Sequence, residues 1–102
     1  MTTTTFDTEK TNAVEMAVCS EFGCSISDVH AFRDTMAKKV VVFLLSRLYG
    51  YDKRVLAREY QMTYLYVPTV VMEMEYMCKV VAGFKLKIEC IENLIAYEKV
   101  LD

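Results

Sequence analysis

Basic side chains are concentrated in the middle of this sequence. Residues 33–58 contain seven Lys or Arg and only two Asp, a balance of +5, in a chain of 102 residues whose net charge is −2. The residues before this segment contain one base and five acids, a balance of −4. The residues after it contain four bases and seven acids, a balance of −3. A local excess of cations is typical of a surface that binds nucleic acid phosphates, but a solvated helix face has the same composition.

Patterns typical of enzymes and metal sites are weak. His30 is the single histidine, with Asp28 and Asp34 near it in sequence, and no glycine-rich phosphate loop or nucleophile elbow accompanies it. The four cysteines contain no Cys-x-x-Cys pair, which favours buried thiols in a reducing cytosol over a zinc site. We therefore expect a protein without catalytic activity, cofactor or metal.

Composition favours a single all-helical domain. Apolar types make up 54% of the chain, and three Gly and one Pro leave few tight turns for a sheet. The longest strictly apolar run, Val40 to Leu45, is far shorter than the roughly 20 residues of a membrane-spanning helix. The N-terminus also lacks the layout of a secretory signal, so we expect a cytoplasmic protein that contacts no membrane.

Periodicity and capping residues predict five or six helices. We expect a disordered N-terminal tip over residues 1–8, a helix from about Glu9 that ends before Gly23, and a short helix opened by a capping box at Ser25 and Asp28. Thr35 can cap a longer helix over residues 36–49. The apolar face of that helix is predicted to contain Val40, Phe43, Leu44 and Leu48.

Residues 52–82 have the layout of a helix-turn-helix. Asp52 can cap a short basic helix from Lys53 to Tyr60, residues 61–67 connect, and Pro68 suits the first turn of a second helix. In this motif the second helix enters the major groove of DNA and the first crosses the phosphate backbone. The pattern therefore predicts that Lys53 and Arg54 lie on a DNA-binding face.

A further helix over residues 84–102 is predicted by an apolar stripe of five side chains, Leu86, Ile88, Ile91, Leu94 and Ile95. This stripe is too apolar to face water, so the helix either docks on its own core or pairs with a second copy. We expect a homodimer through this helix, because small helix-turn-helix proteins commonly bind paired half-sites.

Tyrosines are the second concentrated residue type. Six of the seven lie between residues 49 and 76, where a ring can fill a core, form a protein interface, or donate to phosphate. Core or interface is favoured for most of them. Tyr64 and Tyr66, in the predicted connector, are the best candidates for a contact with a protein partner or DNA.

The order of these elements resembles a known family, the C-terminal duplex-binding domain of the bacterial replication initiator DnaA, in the Trp-repressor-like group. Four segments within residues 9–83 carry the resemblance: Val18–Val29, Met36–Leu48, Asp52–Tyr60 and Pro68–Val71. They are similar to the opening helices, the long helix after a basic loop, and the two helices of the family's helix-turn-helix. The resemblance implies double-stranded DNA binding.

Site residues follow from this resemblance one by one. It implies that Arg33, Lys38 and Lys39 contact DNA phosphates and the minor groove. The family's major-groove motif, Asp-His-Thr-Thr-Val, aligns with Tyr66-Val67-Pro68-Thr69-Val70, so the base-reading Asp and His are absent. The candidate DNA-binding residues are Arg33, Lys38, Lys39, Lys53, Arg54, Tyr66 and Thr69.

Two functions remain open from the sequence. The favoured one is a double-stranded DNA-binding protein, a replication or transcription regulator of bacterial or phage origin. The alternative is a protein-protein interaction module on the same fold that has lost DNA binding and uses the tyrosine-rich connector or the last helix.

Overall fold

The computed structural model describes the backbone of residues 7–101 and the side chains of residues 7–96. Within that part the chain forms only helices, six in number. They are α1 (Thr8–Phe22), α2 (Ile26–Val29), α3 (Met36–Tyr49), α4 (Lys53–Glu59), α5 (Val67–Val80) and α6 (Phe84–Leu101). The predicted all-α domain of five or six helices is confirmed.

Helix α1 begins earlier than the sequence pattern predicts. The Asp7 carboxylate accepts hydrogen bonds from the backbone amides of Glu9 and Lys10, at 3.0 and 3.2 Å, so the helix starts at Thr8. Gly23 ends it in the left-handed conformation at φ 64°, as expected. Residues 7 and 8 therefore belong to the fold, and the rest of the predicted tip, residues 1–6, lies outside the described residues.

Helices α3 and α4 begin at the predicted caps. Thr35 Oγ1 accepts from the Lys38 amide at 3.2 Å, and Asp52 Oδ2 accepts from the Arg54 amide at 3.1 Å. Each bond satisfies an amide that the first turn of a helix leaves without a partner. The bounds of α3 and α4 are thus set by local chemistry.

Helix α3 lies at the centre of the domain. It packs against α1, α2, α4 and α5, and its residues 40–45 are all fully buried. A helix covered on every side is apolar all round, so the prediction of a single apolar face was too narrow. Leu48 was predicted on that face and is instead exposed, because it lies in the last turn, beyond the covered residues.

Helix α6 docks on its own domain, against α1 and α5. Its buried side chains follow one face at spacings of four, three and four: Phe84, Ile88, Ile91 and Ile95. Leu86 and Leu94 were predicted in the same stripe but are exposed, because they lie off this face. The internal docking thus covers most of the stripe, and a homodimer through α6 stays a prediction.

Within the described part of the chain, no helix combines the length and apolar character needed to cross a membrane.

Candidate nucleic-acid interface

One open groove of about 780 Å³ lies between elements that carry predicted site residues, and of those residues Tyr66 lines it. Its walls come from the α2–α3 loop (residues 30–35), the C-terminal half of α4, and the α4–α5 connector (residues 60–66). The groove is lined by Phe32, Asp34, Ala57, Arg58, Gln61, Met62, Thr63 and Tyr66. The fold therefore brings the segment before α3 next to the connector of the predicted helix-turn-helix.

Lys38 does not reach the surface of this region. Its side chain is 0% exposed, and its Nζ atom lies 3.3 Å from Asp34 Oδ1 and 3.4 Å from the carbonyl oxygen of Phe32. The carbonyl oxygen of Gln61, in the connector, is 3.5 Å away. A buried ammonium requires such oxygen partners, because its desolvation is otherwise very costly. The prediction that Lys38 contacts DNA phosphate is wrong.

Lys39 is also engaged inside the protein. Its Nζ atom lies 3.3 Å from Glu73 Oε1 on α5, and its side chain is only 18% exposed. Burial lowers the pKa of Lys39, but Glu73 and Tyr66 together more than offset that effect, and the pKa is raised above its ordinary value. A phosphate that contacts Lys39 would have to displace Glu73. Of the four remaining predicted cations, Lys39 is therefore the least available for DNA binding.

Three of the predicted cations are exposed: Arg33 in the α2–α3 loop, and Lys53 and Arg54 on α4. The ring of Tyr64 lies beneath the last two, with its centroid 5.7 Å from Lys53 Nζ and 5.2 Å from Arg54 Cζ. Such stacking holds the stems of the two side chains while their charges stay in water. Tyr64 thus contributes by positioning cations, a role that the sequence did not indicate.

Arg58 is a further exposed cation that the site prediction left out. It follows Arg54 by one helical turn on α4, lines the groove, and lies 3.6 Å from Glu59 as measured from Nε to Oε2. The signal was present in the sequence, because residues at i and i+4 share a helix face. Arg58 therefore extends the basic edge of α4 toward the groove.

Helix α5 presents a mixed surface. Tyr66 precedes it as a half-buried wall of the groove, and Thr69 is exposed in its first turn. Farther along, however, the outer face is mostly apolar, with one acid and one base. The exposed side chains there are Met72, Glu75, Tyr76, Lys79 and Val80, with Leu65 just before the helix. The N-terminal turn of α5 suits a groove of DNA better than its middle does, because carboxylates near phosphates are unfavourable.

A buried carboxylate that the sequence analysis missed lies next to the α2–α3 loop and the end of α4. Glu15 on α1 accepts a 2.6 Å hydrogen bond from the Tyr60 hydroxyl, and its other oxygen lies 2.9 Å from His30 Nε2. The rings of His30 and Tyr60 stack, with centroids 5.4 Å apart. Burial and the Glu15 carboxylate raise the pKa of Tyr60. The sequence held one indication that Glu15 is buried, because this residue directly follows Val14 on the side of α1 that packs on the core.

Comparison with protein families, with curated proteins and with solved structures gave no match to this chain. Among the described residues, no three His, Cys, Asp or Glu side chains come together as metal ligands. Function is therefore inferred from the surface of this chain itself, and the likeness to the DnaA domain stays a prediction.

The buried Tyr60 phenol predicts a loss of stability in alkaline solution. Its pKa in the fold lies above the ordinary value of 10.0, so its contribution is complete below pH 10 and is lost as the pH rises beyond it. Tyr60→Phe removes both the titrating group and a hydrogen bond to a carboxylate, worth about 1.5–3 kcal/mol. We expect this variant to be less stable at neutral pH and to have a flatter decline above pH 10.

Urea unfolding at neutral and alkaline pH measures both effects. Tyr76→Phe is the matched control, because Tyr76 is exposed and should change neither. An equally steep alkaline decline in Tyr60→Phe and in the intact protein would contradict the assignment.

Proposed function

We propose that this protein binds double-stranded DNA through the α2–α3 loop, α4 and the first turn of α5. One observation carries the proposal: four exposed cations lie on the α2–α3 loop and on α4, two of the elements that form the groove, and Arg58 lines it. They are Arg33, Lys53, Arg54 and Arg58. In keeping with the resemblance, we propose a non-catalytic role in regulating replication or transcription in a bacterium or phage.

The acids of this surface support the proposal, because the fold already uses them. Asp34 lies against the buried Lys38 ammonium, Asp52 accepts from an amide at the start of α4, and Glu59 lies beside Arg58. A carboxylate that is engaged internally opposes an approaching phosphate less than a free one does. Of the four exposed cations, Arg33, Lys53 and Arg54 form no ion pair with another described residue.

Phosphate contacts would come mainly from α4. A guanidinium donates several N–H bonds in a planar fork that matches phosphate oxygens, so Arg54 and Arg58, one turn apart, can contact phosphates along one strand. Tyr64 restricts Lys53 and Arg54 beforehand, which lowers the conformational entropy that binding costs. These contacts fix position on the duplex and read no sequence.

Any base contact would come from the first turn of α5. Thr69 offers a hydroxyl and a methyl group, which suit a base edge or a thymine methyl. Tyr66 lies at the start of the same turn, on the wall of the groove. With so few polar side chains on this turn, the proposed binding depends mostly on the phosphate backbone.

The proposal predicts strongly salt-dependent binding to duplex DNA of random sequence. Each neutralised phosphate contributes about −0.9 to the slope of log affinity against log salt, so four cations give about −3 to −4. Arg54→Ala should weaken binding to all sequences and reduce the slope by about 0.9. Titration by fluorescence anisotropy at several salt concentrations measures both quantities.

Lys87→Ala is the control for overall charge. Lys87 lies on α6, 4.9 Å from the ring centroid of Phe22 on α1, and should leave the slope unchanged. Absence of binding at low salt would overturn the proposed function. An equal loss from Arg54→Ala and Lys87→Ala would show that binding has no defined face.

A protein interface on α5 is the second candidate function, and the apolar outer face of that helix favours it. Met72, Tyr76 and Val80 recur every four residues and are all exposed, which is typical of a ridge that packs on another helix. In a two-fold antiparallel pairing, Met72 of one copy would face Val80 of the other. Lys79 would then lie near the acidic residues Glu73 and Glu75 of the second copy.

Sedimentation of the intact protein tests this candidate. If α5 pairs with a second copy, the protein is a dimer, and Met72→Glu makes it a monomer because a buried carboxylate without a partner is costly. Met16→Glu is the matched control, since Met16 on α1 is 66% exposed and Met72 is 70% exposed. A monomer at high concentration would contradict α5 pairing, and a dimer lost only in Leu94→Glu would place the interface on α6.

A further inference from the structure

Phe32 is the most exposed large apolar side chain in the described part of the protein. Its side chain is 87% exposed, at the rim of the groove that Tyr66 and Arg58 line from the other side. It lies in the α2–α3 loop beside the exposed Arg33. The next most exposed large apolar side chain among the described residues, Met72, is 70% exposed, and Phe32 differs from it in lying next to an exposed arginine.

The loop that carries Phe32 is held by hydrogen bonds. The buried Lys38 Nζ lies 3.4 Å from the Phe32 carbonyl oxygen, and the Thr35 hydroxyl donates to the Asp28 carbonyl at 2.7 Å. The Thr35 amide also donates to the Arg33 carbonyl at 3.1 Å. The backbone is therefore fixed on its inner side, and the exposure of the ring follows from how the loop is held.

We propose that Phe32 inserts between base pairs from the minor groove of bound DNA, an inference that rests on the proposed function. The loop lies across the groove from Tyr66, the residue directly before the first turn of α5. If that turn approaches the major groove, the loop faces the neighbouring minor groove across one phosphate strand. Apolar side chains that enter the minor groove separate base steps, and an adjacent Arg suits the negative potential there.

Insertion has a consequence for the shape of the DNA. A side chain placed between base steps from the minor groove kinks the duplex by about 20–90° toward the major groove. Because α5 would lie in the major groove, this direction closes the duplex around the protein. The bend lets a small domain with few cations contact more of the phosphate backbone than a straight duplex allows.

The test is energy transfer between dyes at the two ends of a short random-sequence duplex, at saturating protein and low salt. The intact protein should increase the transfer. Phe32→Ala should lose that increase but still bind the duplex at low salt, with a salt slope that stays negative because no cation is removed and is shallower because an unbent duplex meets fewer of them. Phe32→Leu should retain most of it, because leucine also serves as an inserting side chain.

Two measurements serve as controls. Phe32→Ala should unfold in urea as the intact protein does, because its side chain is almost fully exposed, and Arg33→Ala should reduce the salt slope. DNA that is bound but equally bent by Phe32→Ala, or not bent by the intact protein, would overturn the insertion and leave the proposed function standing. Absence of DNA binding at low salt would overturn both.

Discussion

The buried ammonium of Lys38 fixes how the two segments of the candidate interface lie relative to each other. It extends from the central helix to oxygens in the α2–α3 loop and in the α4–α5 connector, which are far apart in sequence. A buried cation is tolerated only where such partners surround it, so the loop and connector must meet at this point. The groove and the exposed side chains on its rim follow from that requirement.

The hydrogen bonds of Glu15 hold the same two segments, the loop and the connector, against helix α1. They tie α1 to His30 at the start of the loop and to Tyr60 at the end of α4. Two buried polar groups thus lie beneath one surface, and among the described residues every buried polar side-chain atom has a partner. Loops that carry function are commonly positioned by a rigid scaffold in this way. This interior use of Lys38 also leaves a smaller basic surface than the sequence suggests.

Local features of this fold were predictable, and long-range ones were not. Asp52, Thr35 and Gly23 set helix ends through contacts within a few residues, so their types and positions in the sequence were sufficient. The burial of Lys38 depends on Gln61, 23 positions away, and the partner of Glu15 lies 45 positions away at Tyr60. The resemblance placed Lys38 on the DNA-binding face, and the charge count agreed because it treats every lysine alike.

Hydrogen exchange in Lys38→Met tests most directly whether this ammonium holds the interface together. Methionine keeps most of the length and the apolar character of the stem but gives the loop and connector oxygens no donor. Amides of residues 30–35 and 60–66 should exchange faster, whereas those of α1 and α6 should keep their protection. Unchanged exchange in both segments, or an equal loss of protection across the whole chain, would contradict this account.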